Sequence, residues 1–185
     1  MMSEQIREIW ISPTITTPIG ELCAAATVHG LNQIWFGKTT DLEKQFLPPI
    51  QLFHSSYPLL TDALSQLIDY FTGNRKNFDL PLDLTKLTPF QRSVLGSVQK
   101  IPFGEICTYS EIAIRIDHPK AIRAVGLANG HNPIPIIIPC HRIIGKDRKL
   151  HGYSMPGGIR TKAWLLAHEG HKIENDRVLL NSKWE

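Results

Sequence analysis

Cys140, His141 and Arg142 stand together near the end of the run NPIPIIIPCHRIIG, residues 132–145. In order they offer a nucleophile, a base and a cation. A free thiol has a pKa of about 8.5, so it needs a base or a positive field before it attacks anything at neutral pH. In an extended chain neighbouring side chains point to opposite faces. His141 then reaches Cys140 through a water rather than directly, unless the chain turns there. An imidazole base also needs an acceptor to orient it. Glu169, at the end of KAWLLAHEG with Gly170 as the helix stop, is the best-placed acceptor. Each piece also has a plain structural meaning. A lone cysteine is usually a small buried hydrophobe, a lone histidine a satisfied core residue, and a glutamate near a helix end a solvated charge. On chemistry alone three readings stay open: a cysteine hydrolase, a redox thiol, and a thiol that accepts a group.

The elements around the triplet must hold it. IPIIIP reads as a buried strand with prolines at its margins, placing Cys140 at the rim of a core. GYSMPGG, residues 152–158, is a glycine-rich loop able to lie over such a site, with Tyr153 and Ser154 as hydrogen-bond donors. Upstream, TPFQRSVLGSVQKIPFG has Thr88 as N-cap, Pro89 at the first helical position and Gln91 three residues after the cap. Phe90, Val94, Leu95 and Val98 form its apolar stripe. Thr108 and Glu111 repeat the capping box, and HPKAIRAVGLANGHN starts a third helix with a proline in its first turn. Two short helices within residues 105–131, joined by about three residues, have helix-turn-helix spacing. Ala121, Ala124, Gly126, Ala128 and Gly130 leave the third helix nearly bare, which permits close approach to a ligand or tight packing on a neighbour. Arg123 projects from it. The first half of the chain alternates apolar and polar residues as an antiparallel meander. A helix follows, with Leu60, Leu64, Leu67, Ile68 and Phe71 on one face and Gly73 as its end. RKNFDLPLDLTKLT then reads as an extended linker.

Composition bounds the answer. At 185 residues, 42% hydrophobic and 20% charged, the chain can build one large domain or two small ones. No apolar run reaches bilayer length, and the N-terminal MMSEQIREIWIS lacks a secretory pattern. Three cysteines without paired spacing argue against a disulfide framework and fit a reducing cytosol. Residues 1–88 carry 6 Lys/Arg and 9 Asp/Glu, whereas residues 89–185 carry 14 and 8. A basic second half is what a phosphate-binding surface looks like.

Five blocks, IPFGEICTYSEIA, KAIRAVGLANG, NPIPIIIPCHRIIG, GYS and KAWLLAHEG, resemble in order and spacing the O6-alkylguanine-DNA alkyltransferases, or methylated-DNA–protein-cysteine methyltransferases. The likeness covers residues 88–170; the front half matches loosely through TPIGEL and its strand pattern. The resemblance implies an α+β fold in two domains. An N-terminal RNase H-like antiparallel sheet with a helix (1–86) precedes a helical domain with a helix-turn-helix and an active-site loop (87–172), and then a tail (173–185). It implies single-turnover DNA repair, in which an alkyl group leaves O6 of guanine and stays on Cys140 as a thioether. His141 would take the Cys140 proton through a water, Glu169 would hold His141, Tyr109 would donate to the leaving guanine, and Asn132 would brace the active-site turn. Arg123 would fill the base stack after nucleotide flipping, with Ala124 and Gly126 letting its helix sit close in the minor groove. Tyr153, Ser154 and Pro135 would line the substrate pocket. The implied partner is double-stranded DNA containing O6-alkylguanine, met by a cytoplasmic monomer, nucleoid-associated in a bacterium or nuclear in a eukaryote. No cofactor and no membrane are expected; O4-alkylthymine stays open as a substrate. The alternative is a non-catalytic helix-turn-helix damage-sensing module.

The chemistry fits these roles. Reacting with a base requires extruding it, displacement at a saturated carbon favours a soft sulfur nucleophile, and the departing guanine needs a proton. Met155 and Pro156 lengthen the GYSGG-like loop of the family, and His131 stands where a small residue is usual. Some relatives bind zinc in the first domain, but Cys23 and His29 fall off the ligand positions, so no metal is expected.

Overall fold

The computed structural model describes residues 7–46, 50–53 and 57–179; MMSEQI at the front and residues 180–185 of the tail lie outside them. The chain divides into two compact units, Met1–Leu84 and Thr85–Glu185.

The first unit is built on a five-stranded sheet. β1 (Arg7–Ile11) and β2 (Ile15–Thr17) run in succession along one edge of β3 (Gly20–Thr27), and β4 (Gly30–Phe36) pairs along the other, all antiparallel. β5 (Ile50–Phe53) adds to β1 in parallel, a strand the meander reading did not contain. Ile9, Ile11, Cys23, Ala25 and Leu42 form a buried cluster, with Leu42 supplied by the short helix α1 (Thr39–Glu43). Cys23 is thus core, and His29 sits exposed in the β3–β4 turn.

Helix α2 (Pro58–Phe71) buries Leu60, Ala63, Gln66, Leu67 and Tyr70, while Ile68 is 46% exposed. The buried face is therefore rotated away from the expected Leu64–Ile68–Phe71 side. Gln66 explains the rotation: its Oε1 accepts from the Asp79 N–H and its Nε2 donates to the Asp79 carbonyl. Tyr70 packs against Phe71 and Phe78. The segment read as a linker is extended but tied down. Leu31 donates to the Pro81 carbonyl at 2.8 Å, Asp83 donates back to Leu31 at 2.8 Å, and Thr27 donates to the Asp83 carboxylate at 2.6 Å. A Cβ at Gly30 would lie 2.6 Å from the Pro81 carbonyl oxygen, so only glycine permits this approach.

The second unit is helical. α3 (Pro89–Gln99) and α4 (Tyr109–Arg115) carry complete capping boxes, Thr88 with Gln91 and Thr108 with Glu111. α3 buries Val94, Leu95 and Val98. α5 (Ile122–Gly130) begins later than the sequence implied. Pro119 lies in the turn, and residues 116–121, including Asp117 at φ 59°, link the two helices. The pre-proline residue disfavours helix, which delays the start. α6 (Ile159–His168) ends at Glu169, with Gly170 at φ 96°. Two-residue strands β6 (Cys107–Thr108) and β7 (Ile143–Ile144) pair in parallel. After α6, β8 (Lys172–Glu174) and β9 (Arg177–Leu179) form a hairpin that buries Val178 against Ile144, Leu150 and Leu166.

Candidate active site

The run before Cys140 is not a strand. Three prolines remove ladder donors, and residues 132–139 coil into a tight buried turn with a single bridge between Pro135 and Ile138. The Asn132 side chain ties this turn. Its Nδ2 donates to the Ile138 carbonyl at 2.8 Å, and its Oδ1 accepts from the Ile134 N–H at 3.0 Å. Ile136 is held at φ 75°, a left-handed conformation that β-branched residues strongly avoid. Asn132 is 3% exposed, so its bonds are shielded from water.

Cys140, His141 and Arg142 form one 3-10 turn leading into β7. Successive residues there do not point to opposite faces, so the alternation argument for a strand does not apply. Even so, among the described residues no hydrogen bond joins the Cys140 thiol to the His141 ring. His141 Nε2 meets Glu169 Oε1 at 2.9 Å. With that nitrogen as donor to a carboxylate, Nδ1 carries the lone pair. Nδ1 is buried and, among the described residues, has no hydrogen-bond partner.

Glu169 is the hub. Arg142 clamps it through two bonds, Nε to Oε2 at 2.8 Å and Nη2 to Oε1 at 2.9 Å, and Arg142 Nη1 donates to the Ile101 carbonyl. Burial opposes the carboxylate charge, but the hydrogen bonds from His141 and Arg142, with the Arg142 charge, hold Glu169 well below the usual carboxylate range. Burial also lowers the His141 pKa, against the pull of Glu169. A neutral imidazole contributes little charge, so Arg142 is what keeps Glu169 ionised. His141 is thereby a neutral, oriented imidazole.

The Cys140 thiol is buried, and burial raises its pKa; the Asn132 side chain, the Lys162 charge and the Tyr153 hydroxyl oppose that rise. The resting sulfur is a protonated thiol. It lies in a cavity lined by Tyr109, Gly126, Asn129, Gly130, Cys140 and residues 152–155, with an accessible volume of about 20 Å³. That is about the space of one water. Tyr109, at the start of α4, is buried enough to raise its hydroxyl pKa, and a Cys140 thiolate, when it forms, raises it further. A Cβ on Gly126 would stand 3.8 Å from the Tyr109 ring, and one on Gly130 would stand 3.2 Å from Ser154 Oγ. The bare helix therefore lets the phenol and the covering loop lie against it.

The cavity brings together Cys140, Tyr109, Gly126, Tyr153 and Ser154, with His141, Asn132 and Glu169 behind it. Pro135 is buried within the turn and does not line the cavity. Arg123 and Ala124 are exposed on the outer side of α5, where Leu127 is 65% exposed.

Three residues escaped the sequence reading of the site. From its type alone Arg142 is only a cation. Lys162 is fully buried, its Nζ donating to the Ile143 and His151 carbonyls at 2.5 and 3.1 Å, and burial lowers its pKa to about 8. Helical periodicity held the signal, because Lys162, Leu165, Leu166 and Glu169 share one face of α6. Asn129 is the third, a polar residue on the buried face of α5.

The fold and site have counterparts. Residues 12–84 match the family model "6-O-methylguanine DNA methyltransferase, ribonuclease-like domain", and residues 89–171 match "6-O-methylguanine DNA methyltransferase, DNA binding domain". The chain is 41% identical over 156 residues to the constitutive methylated-DNA–protein-cysteine methyltransferase of Bacillus subtilis, covering 83% of this chain and 91% of that protein. It is 42% identical over 168 residues to the methylated-DNA–protein-cysteine methyltransferase of Mycobacterium tuberculosis, covering 91% and 97%. The crystal structure of Mycobacterium tuberculosis OGT in complex with DNA superposes with a TM-score of 0.73 at 42% identity, over 86% of this chain and 92% of that one.

Proposed function

The chain belongs to the 6-O-methylguanine DNA methyltransferase family, and on that footing we propose that it repairs DNA by moving an alkyl group from O6 of guanine onto its own Cys140. The Glu169 hub carries the assignment of roles. A buried carboxylate, held ionised by Arg142, orients a neutral His141 whose remaining nitrogen is free to take a proton.

In the reaction the Cys140 proton passes to His141 Nδ1 through a bridging water. The thiolate attacks the alkyl carbon. A sulfur–carbon bond forms as the carbon–O6 bond breaks, and the electron pair stays on guanine. Tyr109 donates a hydrogen bond to the departing base, and the proton held by His141 restores neutral guanine. The thioether is not reversed, so each molecule acts once. A thiol that rests protonated avoids side reactions in the interval.

Arg123 enters the stack from the exposed face of α5, replacing the extruded nucleotide while facing phosphates. Ala124 and Gly126 keep the backbone close to the groove. Residues 152–155 line the cavity over Cys140, and Tyr153 and Ser154 border the base there. Asn132 keeps the turn beneath Cys140 in shape. The partner is double-stranded DNA bearing O6-alkylguanine, and no described helix is long and apolar enough to cross a membrane.

The test is mass spectrometry after mixing the protein with a duplex containing O6-methylguanine. The peptide carrying Cys140 gains one CH₂ unit per molecule and no more. Absence of that gain, or turnover beyond one equivalent, sinks the assignment. Cys140→Ala is expected to abolish transfer; if it left repair intact, a non-catalytic module would be the better description.

A further inference from the structure

The polar group in the cavity that the mechanism leaves unused is Asn129. It sits on the inner face of α5 with Val125 and Ala128, is 7% exposed, and lines the cavity shared by Tyr109 and Cys140. Its Nδ2 donates to the Cys140 carbonyl at 3.3 Å. That bond sets the direction of the amide, because the reversed amide would place oxygen against oxygen. Oδ1 is then the open end. It is buried, and among the described residues it accepts no hydrogen bond. Buried acceptors without a partner are rare and unfavourable.

We propose that Asn129 Oδ1 accepts a hydrogen bond from the exocyclic 2-amino group of the extruded base, making Asn129 a specificity-determining residue for O6-alkylguanine. The proposal rests on the alkyl-transfer reading above. Alkylation at O6 removes the proton from N1, so N1, N3, N7 and O6 are all acceptors. The 2-amino group is the one donor left on the base edges. A buried acceptor beside Cys140 has no other complement on this substrate. O4-alkylthymine has lost its N3 proton and carries no amino group, so it leaves Oδ1 unpartnered. A site built to hydrogen-bond a substrate group rejects analogues that lack it. Asn129 also lies beside the Tyr109 hydroxyl, whose pKa it lowers against the larger effect of burial. Holding Tyr109 is therefore the rival role.

A rate comparison of three proteins on two bases separates them. The wild-type protein, Asn129→Ala and the bulkier Asn129→Leu are mixed with duplexes carrying O6-methylguanine or O6-methylhypoxanthine, the same base without the 2-amino group. Methyl gain on the Cys140 peptide is timed. The wild type is expected to slow by about tenfold when the amine is removed, and to be slow with O4-methylthymine as well. Both variants are expected to slow on O6-methylguanine and to lose the preference for the amine. A variant that keeps the wild-type ratio between the two bases assigns Asn129 to Tyr109 and overturns the proposal. Equal wild-type rates on the two bases overturn it without any variant, should neither fold. A wild type that takes no methyl from any duplex instead removes the alkyl-transfer reading itself.

Discussion

Among the described residues, the polar side chains buried in the first unit are Ser12 and Gln66, while the second unit buries Asn129, Asn132, His141, Arg142, Thr161, Lys162 and Glu169. The sheet unit closes on aliphatic side chains, and its two buried polar groups satisfy backbone groups twelve and thirteen residues away. The helical unit places two cations, a carboxylate and an imidazole where water would otherwise stabilise them. Such charges are tolerable only when clamped, and a clamped charge holds its neighbours in one geometry. The first core supplies stability; the second gives some of it up to fix the geometry around Cys140 and His141.

Substitutions put this contrast to the test. The largest effect is expected at Glu169→Leu, which strands Arg142 in the core. Loss of one partner of a buried pair costs about 3–5 kcal/mol, read as a lower urea midpoint, and methyl transfer should fall with it. The pH dependence has the same origin. Glu169 has a depressed folded pKa, so its contribution is complete above its ordinary value of about 4.3 and drains away as pH falls below it. Acid unfolding of the wild type should show this loss and that of Glu169→Leu should not.

Asn132→Ala comes next. It removes two buried bonds and releases the turn, a loss of about 2–3 kcal/mol by the usual magnitudes, and should slow transfer without touching Cys140. Gln66→Ala tests the other unit. It should cost about 1–2 kcal/mol yet leave the transfer rate per folded molecule unchanged. A slowed rate there would end the separation of roles. The smallest change in stability, within about 0.5 kcal/mol, is expected for Arg123→Ala, an exposed side chain. Transfer from duplex DNA should nevertheless drop on the order of tenfold or more, since base extrusion costs a few kcal/mol, while reaction with the free base stays the same.

Much of this was legible in the chain. The capping boxes at Thr88 and Thr108 are local side chain–backbone chemistry, and they appear where the spacing put them. The helix that delivers Glu169 and its glycine stop were equally plain. What failed was the shape of residues 132–139. Apolar periodicity reads an Ile-rich run as a strand, and it cannot see that prolines deny the ladder while the side-chain amide of Asn132, at the run's own start, supplies the bonds that close the turn. The face of α2 failed for a related reason: Gln66 is buried because Asp79 meets it, and that partner lies thirteen residues away. The contact of Glu169 with His141 could be named from residue types. The clamp from Arg142 and the burial of Lys162 required knowing which side of α6 faces inward.

The knot at Asn132 bears on how the protein ages. Asparagine side chains degrade when the N–H of the next residue attacks them and closes a succinimide ring. The next residue here is Pro133, which has no N–H. The amide that shapes the active-site turn is therefore chemically protected by one of the prolines that make it necessary. Asn129 has the opposite neighbour, Gly130, the context in which that ring closes most readily, and is shielded instead by its place in α5. For a molecule that acts once and waits for a rare lesion, shelf life is part of function, and at Asn129 it depends on α5 staying folded.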